Sequence, residues 1–197
     1  RLTISDGAMA MTFTASGPLD GIAGLERGAL IANGSLRLGD ELTLDVSGRI
    51  TDLRSHALRL SQLSFNAKAL DGNARLEARA TGSLGAPLDL TLSATGSQRG
   101  DEWSGDATVK GTVDDLPIAT SRPAAWRRGP NDWSLDAAFS ALRGEIELTL
   151  AQSPAAATAR LELQDVNLRG LSRLARVTPI DGVVTGLATF SNGAGLA

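Results

Sequence analysis

The sequence contains no cysteine, no tyrosine and few other aromatic residues, and none of its apolar runs is long enough to cross a bilayer as a helix. Without cysteine the chain can form neither disulfides nor thiolate metal sites. Its formal net charge of −3 works against the phosphate neutralisation that nucleic-acid binding requires. We therefore expect no nucleic-acid partner and no membrane-spanning helix.

The patterns that identify common enzyme sites are also missing. His56 is the only histidine, and no second histidine or acidic cluster stands at metal-ligand spacing from it. The sequence has no glycine loop for phosphate, no HExxH pattern and no Gly-x-Ser-x-Gly elbow. We expect a protein that is not an enzyme, with no catalytic residue, no metal and no cofactor.

What the sequence does contain is a strict alternation of apolar and polar residues, built mostly from 30 alanines and 30 leucines. Residues 41–50 and 88–94 are typical examples. A period of two indicates strands that are apolar on one face and solvated on the other, which favours antiparallel over parallel sheets. Turn dipeptides such as Asp71-Gly72 separate the runs, and about eleven strands are expected on this pattern.

A short glycine-centred motif recurs along the chain. It has the form small or β-branched residue, any residue, glycine, any residue, aliphatic residue, with its glycines at Gly17, Gly34, Gly48, Gly82 and Gly111. The spacing indicates that similar strands are added one after another. Two explanations of the glycines stay open: they lie at bulges that bend the sheet, or they end each strand.

The apolar face of such a sheet must be covered by something. Leucine and alanine supply area but too little volume to fill the gap of about 10 Å between the sheets of a sandwich. We therefore predict an all-β fold, an elongated, curled antiparallel sheet that forms an open hydrophobic trough (a β-taco), with one short amphipathic helix. A β-sandwich or barrel is the alternative.

We interpret the whole chain as a segment of a longer, repetitive β-trough. A first run of strands is expected over residues 1–120 and a loop over residues 121–132. Further strands are expected over residues 133–165, followed by a short helix over residues 166–178. Residues 180–197 are predicted to start the next strand unit.

Acyl chains could fill the space that the small side chains leave, so the inward rows of the trough would be a lipid-binding surface. For each of these residues an ordinary place in a protein core is the alternative. The predicted groove-lining residues are Leu42, Leu44, Val46, Leu58, Leu60, Phe65, Leu76, Leu88, Leu90, Leu92, Val109, Leu135, Phe139, Ile146, Leu148 and Leu150.

The predicted helix has one basic and one apolar side. Arg169, Arg173 and Arg176 follow one another at i, i+4 and i+7, and therefore share a helix face. One hypothesis is that these arginines contact phosphate headgroups, because guanidinium groups bind phosphate in a bidentate way. The other is that the apolar side packs on the sheet while the arginines are solvated.

Residues 161–190 resemble a unit of the TamB and AsmA-like family of Gram-negative envelope proteins. That unit consists of a strand, an Asp-x-Asn/Asp-Leu motif, a short helix and a Pro-x-x-Gly-x-x-x-Gly turn into the next strand. The strand starts Trp103-Ser104-Gly105 and Trp133-Ser134-Leu135 are also similar to those of the family. The motif positions here are Asp165, Asn167, Leu168, Pro179, Gly182 and Gly186.

The resemblance implies a long β-sheet trough that crosses the periplasm from an inner-membrane anchor and conducts phospholipids towards the outer membrane. It also implies that the full-length protein works with an outer-membrane Omp85-type barrel and takes part in outer-membrane protein assembly. The alternative function is that of a structural or adhesive β-repeat module of a surface protein.

Overall fold

The computed structural model describes residues 2–5, 8–19, 26–38, 42–55, 58–175 and 177–193. These residues form thirteen strands and one helix. The strands are β1 (Leu2–Ser5), β2 (Ala8–Pro18), β3 (Arg27–Leu38), β4 (Leu42–Ser55), β5 (Leu58–Leu70), β6 (Asn73–Leu84), β7 (Ala86–Arg99), β8 (Glu102–Val113), β9 (Leu116–Arg128), β10 (Trp133–Ala141), β11 (Gly144–Gln152), β12 (Ala156–Asn167) and β13 (Val183–Gly193). The helix, α1 (Leu168–Ala175), lies between β12 and β13 in the chain.

The strands follow one another in the sheet in the order in which they occur in the chain, and β1 and β13 are its two edges. The prediction of an all-β protein with one unclosed antiparallel sheet and a short helix is confirmed. The described residues form neither the sandwich nor the barrel that was the alternative. The strand count is thirteen rather than about eleven.

The chain divides into two units, Arg1–Thr95 and Gly96–Ala197, which we call the N-terminal unit and the C-terminal unit. Each unit contains tight hairpins. Asp71 and Gly72, between β5 and β6, have φ angles of 52° and 71°. Positive φ at both central residues is the geometry of the hairpin turn whose twist matches that of the flanking strands. The turn dipeptide seen in the sequence therefore makes the reversal that it predicts.

A bulge in each unit keeps apolar residues on one side of the sheet. The pairing shifts by one residue at Asp52 in β4 and at Asp165 in β12, where φ is 52° and 53°. A one-residue shift moves every later side chain to the other face. Leu53 and Val166 follow these bulges by one residue, so each lies on the same side as the apolar residues before the bulge. Aspartate tolerates the left-handed backbone that such a bulge needs.

The loop predicted over residues 121–132 is wrong for most of its length. Residues up to Arg128 belong to β9, and the turn proper begins at Gly129, whose N–H donates to the Asp132 carbonyl at 2.8 Å. In the structure Pro123 lies where the pairing of β9 with both neighbours shifts register, so its missing N–H interrupts no regular ladder.

A small core lies at one end of the C-terminal unit. Ala141, Leu142 and Val166 are its buried residues, and Leu171 of α1 packs against them. Asn167 begins the helix, because its Oδ1 accepts a hydrogen bond from the Gly170 N–H at 3.1 Å. The helix therefore lies on the apolar side of the sheet here, and it is shorter than the range of 166–178 predicted for it.

Candidate functional site

One side of the sheet in the N-terminal unit is apolar from β2 to β6. Residues directly opposite each other in an antiparallel pair point to the same face, so the register identifies that side. Leu44, for example, is opposite Leu36 on one neighbour and Ala69 on the other. We call this side the N-terminal apolar face; across its strands it carries Met9, Met11, Phe13, Leu30, Ala32, Leu36, Leu38, Leu42, Leu44, Val46, Ile50, Leu63, Phe65, Ala67, Ala69, Ala74, Leu76, Ala78 and Ala80.

The other side of the same strands carries the charges. Lys68 Nζ is 3.0 Å from Asp45 Oδ2 on the neighbouring strand. Arg79 donates two hydrogen bonds to the Asp89 carboxylate, at 3.1 and 2.7 Å. These bonds from Arg79 lower the pKa of Asp89 below its ordinary value. Because Asp89 lies on the polar side, its alternating neighbours Leu88 and Leu90 lie on the apolar side.

Glycines let aromatic rings lie flat across the N-terminal apolar face. Gly34 is opposite Phe13, and Gly48 is opposite Phe65. A Cβ atom at Gly34 or Gly48 would stand 2.5 or 2.6 Å from the Cζ atom of the opposing ring, so a side chain there would force the ring to move. At these two positions the glycines neither end a strand nor lie at a bulge. They make room for phenylalanine on the neighbouring strand.

The C-terminal unit has an equivalent side. Leu150 of β11 is opposite Leu135 of β10 and Ala159 of β12, and Ala159 is opposite Phe190 of β13. We call it the C-terminal apolar face; it carries Trp103, Gly105, Val109, Val113, Leu116, Ile118, Ala124, Trp126, Trp133, Leu135, Ala137, Phe139, Ala141, Ile146, Leu148, Leu150, Ala159, Leu161, Leu163, Val184, Ala188 and Phe190. At its end the exposed Arg128 lies on the same side, opposite Trp103 and Trp133.

Ion pairs again occupy the opposite side. Arg122 and Asp136 approach to 2.7 Å across two strands, and Arg160 and Glu162 approach to 2.7 Å along one strand. The hydrogen bond from Arg160, with a second from the Gln164 amide, lowers the pKa of Glu162. Pairs this exposed add little stability. Their consequence is positional, since they keep these charged side chains on the side away from the apolar face.

Eleven of the sixteen predicted groove-lining residues are among those that define these two apolar faces. The other five lie on the same side of the N-terminal unit: Leu60 is opposite Leu53 and alternates with Leu58, and Leu88, Leu90 and Leu92 alternate with Asp89. The sixteen residues differ in exposure. Leu60 and Leu88 are buried, at 7% and 8% exposed, and Leu42 is 47% exposed. The other thirteen are half-buried. A facing layer of protein would bury such side chains as fully as Leu60, so most of the predicted rows are covered only by their neighbours in the sheet.

Ile146 differs from the other predicted residues because it packs against the Ala141–Leu142–Val166 cluster. Its place is partly that of a core residue, which was the alternative for each prediction. Leu148 and Leu150 follow it on the same strand and the same face. The predicted row on β11 therefore begins in the core and continues onto the uncovered part of the C-terminal apolar face.

Several residues of the apolar faces were not predicted from the sequence. The same alternation runs through them, and it is the signal that could have found them. Large ones are Met9, Met11, Phe13, Leu36, Ile50 and Leu63 in the N-terminal unit, and Trp103, Trp126, Trp133, Leu161, Leu163 and Phe190 in the C-terminal unit. Phe190 is 62% exposed, Trp133 41% and Leu161 37%, so these three side chains contribute the most open part of the C-terminal apolar face.

The basic helix face is described only in part. Arg169 is exposed, and its Nε is 3.8 Å from Asp181 Oδ1. Arg173 lies within α1, but its side chain is outside the described part of the structure, and Arg176 and His56 lie outside the described residues. The contact of the three arginines with phosphate headgroups therefore stays a prediction.

Two further observations concern the described residues only. No three His, Cys, Asp or Glu side chains among them are close enough together to hold a metal ion. None of the helical structure in the same ranges has the length and hydrophobicity needed to span a membrane.

Comparison with known protein families, with curated proteins and with solved structures finds no match to this chain.

Proposed function

We propose that this chain is a segment of a periplasmic protein that shields phospholipid acyl chains from water and conducts them between the inner and outer membranes. The observation that carries the proposal is the pair of apolar faces. Each extends over at least five paired strands, and its large side chains are mostly half-buried or exposed. Contiguous exposed apolar patches larger than about 300–600 Å² are unusual on monomeric proteins and mark interaction sites.

Acyl chains are better suited than a partner protein to cover such a face. Each CH₂ group removed from water contributes about 0.8 kcal/mol. Among the residues that the structure describes, the one charged side chain that the register places on either apolar face is Arg128, at the end of the C-terminal apolar face between Trp103 and Trp133. Along the rest of the paired strands the gain therefore changes little from one position to the next. A lipid tail could therefore move along the face without a deep minimum to trap it, which is what conduction requires.

The resemblance to the TamB and AsmA-like family supplies the rest of the proposal. It implies a full-length protein in the periplasm with an inner-membrane anchor, and an outer-membrane Omp85-type barrel as its partner. Through that partner the full-length protein would also assist outer-membrane protein assembly.

Photo-crosslinking in cells that make the full-length protein tests lipid contact directly. A photoreactive amino acid at Leu44 or Leu148 should capture phospholipid, because both lie on the apolar faces. The same label at Asp45 or Glu147 should capture little, because these adjacent residues lie on the polar side. Equal capture at both members of each pair would refute the proposal.

A structural or adhesive β-repeat module makes the opposite prediction. Such a module would carry no lipid after gentle purification, and a delipidated sample would take up none on readdition, as read by native mass spectrometry. If the chain conducts lipid, Leu90→Glu should block phospholipid transport while circular dichroism shows that the strands are intact. Unchanged transport in that variant would favour the module.

A further inference from the structure

A cleft of about 330 Å³ lies in the C-terminal unit, between the β10–β11 turn and the first residues of α1. Its wall is part apolar and part charged. The residues that form it include Leu116, Leu142, Arg143, Asn167, Arg169 and Asp181. Nothing in the proposed conduction of acyl chains uses the charged half of this wall.

Hydrogen bonds fix the three segments around the cleft. The Asn167 N–H donates to the Leu142 carbonyl at 3.0 Å, which joins the end of β12 to the β10–β11 turn. The Asn167 side chain caps α1 at Gly170, and the Leu168 N–H donates to the Gly182 carbonyl at 3.0 Å. The cleft is therefore formed by backbone that is held in place before any ligand arrives.

The turn that forms one wall has an uncommon backbone. Leu142 and Arg143 have φ angles of 54° and 64°, a two-residue turn that usually takes Asn-Gly or Asp-Gly. Such left-handed residues are unfavourable without a compensating role. Leu142 has one, since it is 6% exposed within the core cluster. The Arg143 side chain is exposed, and no hydrogen bond or ion pair joins it to another residue that the structure describes.

The second arginine of the cleft is only weakly neutralised. Arg169 Nε is 3.8 Å from Asp181 Oδ1, and the two side chains are 68% and 85% exposed. An ion pair this long and this exposed is easily exchanged for another partner. The cleft thus presents two guanidinium groups against one carboxylate, beside the apolar side chains of Leu116 and Leu142.

We propose that this cleft binds one phosphate group, with Arg143 and Arg169 donating hydrogen bonds to its oxygens. Guanidinium groups match phosphate oxygens in a bidentate way, and two of them set a preference for a doubly charged or diester anion over a neutral ligand. The phosphate can belong to a lipid headgroup, in which case the assignment rests on the proposed function, or to a soluble phosphate ester.

Nuclear magnetic resonance of the 197-residue chain tests the assignment. Inorganic phosphate, glycerol 3-phosphate and monomeric dihexanoyl phosphatidylglycerol are titrated separately, and the amides of Leu142, Arg169 and Gly170 are followed. Saturable shifts at these amides are expected. Arg143→Gln and Arg169→Gln should each weaken binding about tenfold or more. Arg49→Gln removes the same charge from the polar side of β4 and should leave binding unchanged.

The three ligands separate the two sources. Tighter binding of the phosphatidylglycerol than of glycerol 3-phosphate assigns the cleft to a lipid headgroup. If inorganic phosphate and glycerol 3-phosphate bind but the phosphatidylglycerol does not, the cleft is a site for a soluble phosphate ester. That result would count against the proposed lipid function. No saturable shift with any ligand, or equal weakening in the Arg49→Gln control, would overturn the assignment.

Discussion

The two units carry the same kind of apolar face but differ in what lies on it. In the C-terminal unit, α1 packs Leu171 against the end of the face, and Val166 beneath it is fully buried. No helix among the described residues of the N-terminal unit lies on its face, where Leu44 and Val46 stay half-buried. Alternation thus determines which side is apolar, and a local segment determines whether protein covers it.

The largest expected effect comes from placing a charge on each face. Val166→Asp should destabilise the C-terminal unit by about 3–5 kcal/mol, because the carboxylate would be buried without a partner. Leu44→Asp should cost about 1–2 kcal/mol, because the new carboxylate reaches water and only part of a leucine's burial is lost. Urea unfolding monitored by amide hydrogen exchange in each unit measures both values.

Equal losses of stability in Val166→Asp and Leu44→Asp would mean that the two apolar faces are covered to the same extent. A cost above about 3 kcal/mol at Leu44 would mean that the N-terminal apolar face is packed as tightly as a protein interior. Leu44→Met, which keeps the apolar character and nearly the volume, is the matched control and should change stability little.

The next effect concerns the glycine and phenylalanine pairs of the N-terminal apolar face. Gly48→Val should destabilise by about 1–3 kcal/mol, since its Cβ would overlap the Phe65 ring. Phe65→Ala should relieve that overlap, so the double variant should be more stable than the sum of the single effects predicts. Chemical denaturation of the four proteins measures the coupling.

Gly17→Ala is the control for this prediction, because no atom lies within 4 Å of a Cβ built there. It should be neutral or slightly stabilising. Additive effects in the double-mutant cycle would mean that the ring does not lie over Gly48, and that the glycine is present for another reason.

A smaller effect is expected at the helix that covers the C-terminal apolar face. Asn167→Ala removes the hydrogen bond to the Gly170 N–H and should cost about 1 kcal/mol. Faster hydrogen exchange should follow in α1 and near Leu142, while the N-terminal unit stays unchanged. Asn167→Asp, which retains an acceptor at the cap, should recover most of the loss. Equal losses in both variants would argue against capping.

The smallest effect is the pH dependence of the exposed ion pair in the N-terminal unit. The pKa of Asp89 is lowered by the hydrogen bonds from Arg79, so the carboxylate stabilises the folded state above the unfolded pKa of about 3.9. That contribution is lost as the pH falls through the lower folded pKa. The melting temperature of Asp89→Asn should therefore fall less between pH 6 and pH 2 than that of the native chain.

Arg79→Gln should reduce the pH dependence in the same way, because it removes the same hydrogen bonds. An acid response unchanged in both variants would show that this pair makes no contribution to stability.

The sequence predicts the faces well because alternation is a local property. Alternation puts Leu88, Leu90 and Leu92 on one face of their strand whichever strands pair with it. The turn at Asp71-Gly72 likewise depends only on its own residues. Contacts that depend on register are different. The meeting of Gly48 with Phe65 needs the pairing of two strands to be known, which no short motif encodes.

The loop predicted over residues 121–132 is wrong where the sheet itself is irregular. Residues 121–128 carry arginines and Pro123, which favour a loop locally, yet their pairing with both neighbours keeps them in β9. The Leu142–Arg143 turn was missed for a similar reason. Its residues lack the turn preference of glycine or asparagine, and burial of Leu142 in the core holds the backbone there.

Paramagnetic broadening by a phospholipid that carries a nitroxide near the end of its acyl chain tests the central claim most directly. With methyl-labelled protein, the account predicts strong broadening at Leu44, Val46 and Leu148 on the apolar faces, and none at Val166 beneath α1. Equal, weak broadening at all four would mean that acyl chains do not occupy these faces, and would contradict the account.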